Sequence, residues 1–254
     1  MRFLDRLRNR GGSKFAGALR AYGHDKCSIT DSTLLVGLPA TGTLAPCISL
    51  PEDLGAVDFL AAAEQADLIR IFCTSPEAQM VQKMTIGTSH HFAEQKHPLP
   101  YDMTGAIRAL SEPLLNLKHL VLGDMVQLFN GGQYYGKLGA LDHIFEVCPA
   151  LETLQIYGQF ALKAPVSHNS LTSVETAADS IGVSGGPISQ ATVTHLLQSS
   201  LPKLNRLILE LDEEDAEETY EIPPGFPNPD RLPGLTKIHI DPVSPETARH
   251  LLNR

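Results

Sequence analysis

The segment SHHFAEQKH holds a compact group of side chains that could bind a metal ion. It contains His90, His91, Glu94 and His97, and on a helix His90 and Glu94 would lie on one face. Zinc takes its nitrogen, sulfur and oxygen ligands in tetrahedral sets, so this pair would need further ligands from elsewhere. No HExxH motif occurs, and no other cysteine or histidine lies nearby in the sequence. We therefore predict no metal ion and no cofactor.

Motifs for phosphate binding and nucleophilic catalysis are also missing. Residues 182–186 read GVSGG, which lacks the glycine order of dinucleotide-binding and P-loop motifs. There is no GxSxG motif, and no ordered Ser-His-Asp set stands out. We expect a non-catalytic protein. The alternative is an enzyme of an unrecognised kind, with its site in the N-terminal region or near residues 90–97.

A run of carboxylates at residues 212–218 could attract a basic partner or a hard cation. The run reads DEEDAEE, so every residue except Ala216 is acidic. Calcium loops place oxygen ligands at turn-defining spacing, often with glycine, and that pattern is absent here. Because like charges repel one another, we expect a solvated segment without a bound ion.

Charge is distributed unevenly along the 254 residues, whose net charge is −9. This balance argues against a nucleic-acid-binding protein, which needs basic surface to neutralise phosphates. The first 26 residues are basic, and their opening MRFLDRLRNR could form an amphipathic arm or a solvated terminus. A further alternative is therefore a structural subunit of a larger assembly, in which the basic arm pairs with the acidic run between copies.

The cysteines and the distribution of apolar residues indicate a cellular compartment. Cys27, Cys47, Cys73 and Cys148 are far apart and form no CxxC pair, which is typical of reduced, buried thiols in a cytosolic protein. No run of 18 apolar residues occurs, and no apolar core follows the basic N-terminus, so we expect neither a transmembrane segment nor a secretory signal. We predict a cytoplasmic protein.

An internal sequence repeat predicts the strands and helices that would form a functional surface. The repeat is Leu, two residues, an aliphatic residue, one residue and a second aliphatic residue. Its clear copies are LKHLVL, LETLQI, LNRLIL and LTKIHI, which begin at Leu117, Leu151, Leu204 and Leu235, and weaker copies begin at Val81 and Leu171. The starts are 36, 34, 20, 33 and 31 residues apart. A proline lies two residues before the first leucine in three of the clear copies, and Pro113 lies near the same place in the fourth.

Each copy predicts a short strand, because its fourth and sixth positions would point to one face. Stacking the strands in parallel would bury these positions in one continuous core. Helices are predicted between strands, and they would include Ile107, Leu110 and Leu114; Leu138, Leu141, Ile144 and Phe145; and Val193, Leu196 and Leu197, with Ser189 or Pro187 near the start of the last. Residues 161–169 leave no room for a helix, and a final helix is predicted from Ser244 to Asn253.

The segments LNLKHLVLGDM, CPALETLQIYG and LPKLNRLILEL resemble bacterial leucine-rich-repeat proteins of the helix-containing, ribonuclease-inhibitor-like kind. The resemblance extends from Val81 to Arg254. It implies an α/β solenoid of parallel strands with outer helices. Folds of this kind usually bind other proteins.

The N-terminal region is predicted to form a small αβ cap. Residues 54–66 have Leu54, Val57 and Leu60 at helical spacing, and Leu68, Ile71 and Cys73 repeat the strand spacing. We therefore divide the chain into an N-terminal arm and cap at residues 1–66 and a leucine-rich-repeat-like solenoid with a C-terminal capping helix at residues 67–254.

The concave strand face is the predicted functional surface. Its residues alternate with the core positions and mix aromatic, aliphatic and charged side chains, a composition that suits a protein partner. We predict a scaffold, adaptor or inhibitor that binds one protein there. The predicted contact residues are His119, Thr153, Gln155, Tyr157, Glu175, Arg206, Ile208, Glu210, Lys237 and His239.

Overall fold

The computed structural model has a mixed α/β fold with a large, open and mostly parallel sheet. The structure describes residues 13–23, 27–30, 32–37, 50, 53–60, 62–87, 102–123, 136–178, 188–211, 220–241 and 243. Within these ranges the sheet has ten strands, and nine of them follow one another across the sheet in chain order, with β6 displaced to one side.

The strands have four to six residues each, except β7, which has nine. They are β1 Cys27–Thr30, β2 Thr33–Val36, β3 Ala56–Phe59, β4 Lys83–Ile86, β5 His119–Gly123, β6 Gly136–Ala140, β7 Thr153–Ala161, β8 Ser173–Ala178, β9 Arg206–Leu211 and β10 Lys237–Asp241. The first pair, β1 and β2, is antiparallel, and every later pair is parallel. Parallel neighbours need a crossover connection, and most of the described helices lie in these crossovers.

The described helices are also short. They are α1 Lys14–Tyr22, α2 Ala66–Cys73, α3 Thr104–Arg108, α4 Ile144–Val147 and α5 Gln190–Leu197, with 3₁₀ turns at Ala62–Glu64 and Pro76–Gln79. Ser189 caps α5 by accepting a hydrogen bond from the backbone N–H of Thr192, as its sequence position predicted. Two serines thus mark helix starts, because Ser13 accepts from Ala16 N–H at the start of α1 in the same way.

The core consists of two rows of side chains, all apolar except Thr176, that cross the sheet in register. The fourth repeat positions form one row from Met84 to Ile238, and the sixth positions form a second row from Ile86 to Ile240. Nearly all of these side chains are buried. The prediction that all six copies of the repeat, the two weaker ones included, form parallel strands with a shared core is confirmed.

The core extends further toward the N-terminus than the repeat predicted. Strand β3 pairs in parallel with both β2 and β4, so Leu34 and Val57 continue the first row and Val36 and Phe59 continue the second. All four side chains are fully buried. One sheet therefore passes across the predicted division between residues 66 and 67, and that division stays a prediction.

The N-terminal assignments of helix and strand were wrong in two places. Residues 54–66 were predicted as a helix, but they contain β3, whose residues alternate between partly buried and buried. Residues 68–73 were predicted to have strand spacing, but they lie in α2, where Leu68, Ile69, Phe72 and Cys73 are buried. The spacing of these four residues follows the helical period, so burial of that face decides the structure.

The helix predicted from Leu138 to Phe145 is only partly present. Leu138 lies in β6, which pairs with the second half of β7, and the helix α4 begins only at Ile144. Gly139 has φ of +77°, and a Cβ there would lie 3.0 Å from Cγ2 of Thr104. A right-handed helix cannot include this backbone conformation, so glycine at position 139 permits the strand instead.

The remaining connections follow the predictions more closely. The helix predicted to include Ile107, Leu110 and Leu114 is shorter than expected, because α3 ends at Arg108 and includes only Ile107 of the three. Residues 162–172 form an irregular return between β7 and β8, with one isolated bridge between Ser167 and Ser200. The predicted final helix at residues 244–253 lies outside the described residues. Among the helices that the structure describes, none has both the length and the apolar character needed to cross a bilayer.

Candidate functional site

The side chains that alternate with the core residues form the second face of the sheet, which we call the strand face. Strand register arranges the residues of this face in three rows. From β4 to β10 the first row contains Lys83, His119, Thr153, Ser173, Arg206 and Lys237; the second contains Thr85, Val121, Gln155, Glu175, Ile208 and His239; and from β5 to β10 the third contains Gly123, Tyr157, Ala177, Glu210 and Asp241. The structure therefore brings all ten predicted contact residues onto one face.

Four of these predicted residues form a continuous hydrogen-bonded network. The hydroxyl of Tyr157 accepts from Nε2 of Gln155 over 2.9 Å and donates to Oε1 of Glu175 over 3.1 Å. The other carboxylate oxygen of Glu175 accepts from Nη2 of Arg206 over 2.9 Å. The network joins β7, β8 and β9 through side chains, in addition to their backbone pairing.

Tyr157 supports this network from a buried position. It is only 2% exposed, although its place in the alternation predicted a partner contact. Burial raises the pKa of its hydroxyl above the ordinary value of 10, the carboxylates of Glu175 and Glu210 raise it further, and Arg206 opposes them. The hydroxyl therefore keeps its proton and acts as a donor to Glu175. Ile208 is also buried, at 9% exposed, so neither residue presents much surface.

The ion pair between Arg206 and Glu175 remains accessible from solvent. Their side chains are 35% and 21% exposed. Because each of these two groups is held by a partner, both are ordered before any ligand arrives. Ordered polar groups cost less conformational entropy when they engage a ligand, so the pair suits recognition.

The first row is built of hydrogen-bond donors. The ring nitrogen Nδ1 of His119 lies 2.8 Å from the hydroxyl oxygen of Thr153, while Lys83 and Lys237 are exposed. Beside this row, Nζ of Lys118 lies 2.9 Å from Oε1 of Glu152, and this hydrogen bond is the main reason that the pKa of the Glu152 carboxyl is lowered.

Asp58 is a residue of the strand face that the sequence interpretation missed. It extends the second row beyond Thr85. Burial raises the pKa of Asp58, and a hydrogen bond with the Thr85 side chain only partly offsets this effect. The signal was available, because Leu54, Val57 and Phe59 match the repeat with Asp58 at the alternating position.

Other histidines have structural contacts rather than places on the strand face. His168 is 4% exposed; its Nε2 lies 2.9 Å from the carbonyl oxygen of Cys148, and its Nδ1 lies 3.1 Å from the backbone N of Leu171. Nδ1 of His195 lies 2.8 Å from the carbonyl oxygen of Leu162. These side chains join the irregular return at residues 162–172 to its neighbours.

The predicted burial of the cysteines is confirmed for three of them. Cys27, Cys73 and Cys148 are buried, and burial raises the pKa of both Cys73 and Cys148 to about 12. The thiols of Cys73 and Cys148 therefore remain protonated at neutral pH and lack the exposed thiolate that a nucleophile needs. Cys47 lies outside the described residues.

Four segments that the sequence analysis singled out are not among the described residues. The basic arm at residues 1–12, the histidine-rich residues 90–97, the glycine-rich residues 182–186 and the acidic run 212–218 lie outside the described residues. Within the described part of the chain, His, Cys, Asp and Glu side chains form no group of three or more that could hold a metal ion.

Comparison with known proteins gives no family. No model of a protein family matches the chain, and no curated protein matches it. A protein from Bacteroides fragilis with a crystal structure is similar in fold at a TM-score of 0.46 and 18% identity, over 72% of this chain and 51% of that protein. The chain therefore matches only about half the length of that protein.

Proposed function

We propose that the chain is a leucine-rich-repeat-like solenoid that binds a partner protein on its strand face and catalyses no reaction. The role would be that of a scaffold, an adaptor or an inhibitor. The observation that carries this proposal is the register of the polar rows, which continues without a shift from β4 to β10. A repeated unit that keeps its polar positions aligned presents one continuous surface.

The chemistry of the strand face supports a protein as the ligand. Exposed groups of both signs, such as Lys237, His239 and Glu210, surround the ordered pair of Arg206 and Glu175. Protein interfaces combine an arginine-containing centre with a polar, solvated rim. The strand face offers these features side by side on adjacent strands.

Site-specific photocrosslinking tests the proposal in cells that express the full chain. A photoreactive amino acid is placed at Lys83, Glu210 or His239 on the strand face. Matched positions on other surfaces are Arg108, Glu146 and Gln198, which are also exposed. We expect one crosslinked protein of the same mass from the strand-face positions and none from the others.

The pattern of crosslinks decides the outcome. Equal crosslinking from both sets of positions, or crosslinks from Arg108, Glu146 and Gln198 alone, would place the interaction elsewhere. A complete lack of crosslinks at all six positions would contradict a protein-binding role for this face. Folding of each variant is checked by circular dichroism, so that an unfolded variant is not read as a negative result.

A further inference from the structure

We infer that the first row of the strand face binds an acidic segment of the partner protein. This inference rests on the proposed function and specifies its ligand. The row contains lysine, histidine, threonine, serine, arginine and lysine in strand order, without a carboxylate in any position from β4 to β10. Each of these side chains can donate a hydrogen bond, and three are fixed cations at neutral pH.

The composition of this row differs from that of the whole chain. The chain has a net charge of −9, and Lys and Arg make up 20 of its 254 residues, so three such cations in a row of six exceed the average composition. The third row has the opposite character, with Glu210 exposed and Asp241 partly exposed. The strand face therefore changes from basic to acidic along the direction of its strands.

The residues directly before the first row leave its positive charge unopposed. These positions hold Gln82, Lys118, Glu152, Thr172, Asn205 and Thr236. Glu152 is the acidic residue of this set, and it is already paired with Lys118 at 2.9 Å. Lys203, a further cation near Glu152, is exposed. The six positions are therefore net neutral, and Lys203 adds one positive charge beside them.

The geometry fits an extended peptide that crosses the strands. Neighbouring strands lie about 4.8 Å apart, so five steps from β4 to β10 extend over about 24 Å. A fully extended segment of about seven residues has this length. Arg206 is held toward the second row by Glu175, which leaves Lys83 and Lys237 at the two ends of the row as unpaired, exposed cations among the described residues.

Fluorescence anisotropy with the full chain tests the inference. The probe is a labelled peptide of eight glutamates, with a serine-glycine peptide of the same length as the uncharged control. The row variant carries Lys83→Gln with Lys237→Gln, and the charge-matched control variant carries Arg108→Gln with Lys163→Gln. All four positions are exposed, so the variants should fold alike.

We expect saturable binding of the glutamate peptide, no binding of the control peptide, and about five-fold weaker binding by the row variant alone. Binding should weaken as salt is raised, because the contacts are exposed charges. The inference is overturned if the glutamate peptide does not bind, or if both variants lose affinity equally. It is also overturned if a single-stranded oligonucleotide of equal charge binds more tightly through the same lysines.

The crosslinking experiment separates failure of this inference from failure of the proposed function. If crosslinks persist on the strand face while the glutamate peptide fails, the face binds a partner through other chemistry. If both fail, the proposed function fails as well. A dimer in sedimentation that is lost in the row variant would make a second copy of the chain the occupant and would contradict an acidic segment of another protein.

Discussion

The hydroxyl of Tyr157 donates a hydrogen bond to Oε1 of Glu175, 3.1 Å away on the neighbouring strand, and so fixes the carboxylate that holds Arg206. The phenol is almost fully buried, while the ion pair that it supports is accessible. A buried residue of the strand face thus organises its exposed polar centre.

Replacing this hydroxyl tests the coupling within the network. Tyr157→Phe should lower the free energy of unfolding by about 1 kcal/mol, because a hydrogen bond to a carboxylate is lost while ring packing is kept. Glu175→Gln provides the second arm of a double-mutant cycle, measured by urea denaturation. The two effects should be non-additive by at least about 0.5 kcal/mol. Additive effects would show that the hydrogen bond contributes nothing.

A threonine in the second core row leads to a prediction of increased rather than decreased stability. Thr176 is fully buried between Ile156 and Leu209, and its hydroxyl has no hydrogen-bond partner among the described residues. Thr176→Val should therefore raise the free energy of unfolding by about 1 kcal/mol. Thr85→Val is the matched control, because that hydroxyl bonds to Asp58, and it should destabilise the fold. If both substitutions destabilise, the Thr176 hydroxyl has a partner that this account lacks.

The contributions of Asp58 and Asp102 to folding stability should change with pH in opposite directions. Because burial raises the pKa of Asp58 above its ordinary value of 3.8, its contribution to stability is complete below pH 3.8 and is lost as the pH rises through the folded-state pKa. Asp58→Asn should therefore stabilise the protein at pH 7 and have little effect near pH 3. Thermal unfolding across this range measures the difference.

Asp102 provides the comparison. Interaction with Thr104, whose backbone N–H donates to Oδ1 of Asp102 over 2.9 Å, lowers the pKa of Asp102 below 3.8. Its contribution is present above pH 3.8 and is lost as the pH falls through the folded-state pKa. Asp102→Asn should therefore destabilise the protein at pH 7 and lose its effect at low pH. The same sign for both variants would contradict the assigned environments.

Thiol labelling tests the packing of the cysteines. Cys27, Cys73 and Cys148 are buried, and the pKa of about 12 for Cys73 and Cys148 keeps them protonated at pH 8. Iodoacetamide at pH 8 should modify these three residues at least about 100-fold more slowly in the folded protein than in denaturant, because reaction requires opening of the fold. Peptide mass spectrometry resolves each site. Rapid labelling of Cys148 in the folded protein would contradict its place in the core.

The repeat made the C-terminal two-thirds of the sheet predictable because its apolar positions fit one period only. Leu154 and Ile156, for example, are two residues apart, so they share a strand face but not a helical face. Residues 54–60 were ambiguous, since Leu54, Val57 and Leu60 fit a helix while Leu54, Val57 and Phe59 fit the repeat. Pairing with β2 and β4 decides between them, and that information is not local.

The composition of the strand face was predictable, but its exposure was not. Alternation correctly assigns Thr153, Gln155 and Tyr157 to one face, because side chains alternate along a strand. It does not say whether a large ring extends into solvent or becomes buried beside its neighbours. The hydrogen bonds of Tyr157 with Gln155 and Glu175 accompany its burial. The bond to Glu175 depends on the pairing of β7 with β8, which is not local in the sequence.

The most direct test of the central claim compares the partner affinity of two charge-swapped variants. The strand-face variant carries Glu210→Lys with Lys237→Glu, and the outer variant carries Arg108→Glu with Glu146→Lys. All four residues are exposed, and each swap leaves the net charge unchanged. Affinity for the protein identified by crosslinking is measured by calorimetry. If the strand face binds the partner, the first variant should bind at least about ten-fold more weakly than the outer variant. Equal affinities, or a loss confined to the outer variant, would contradict the account.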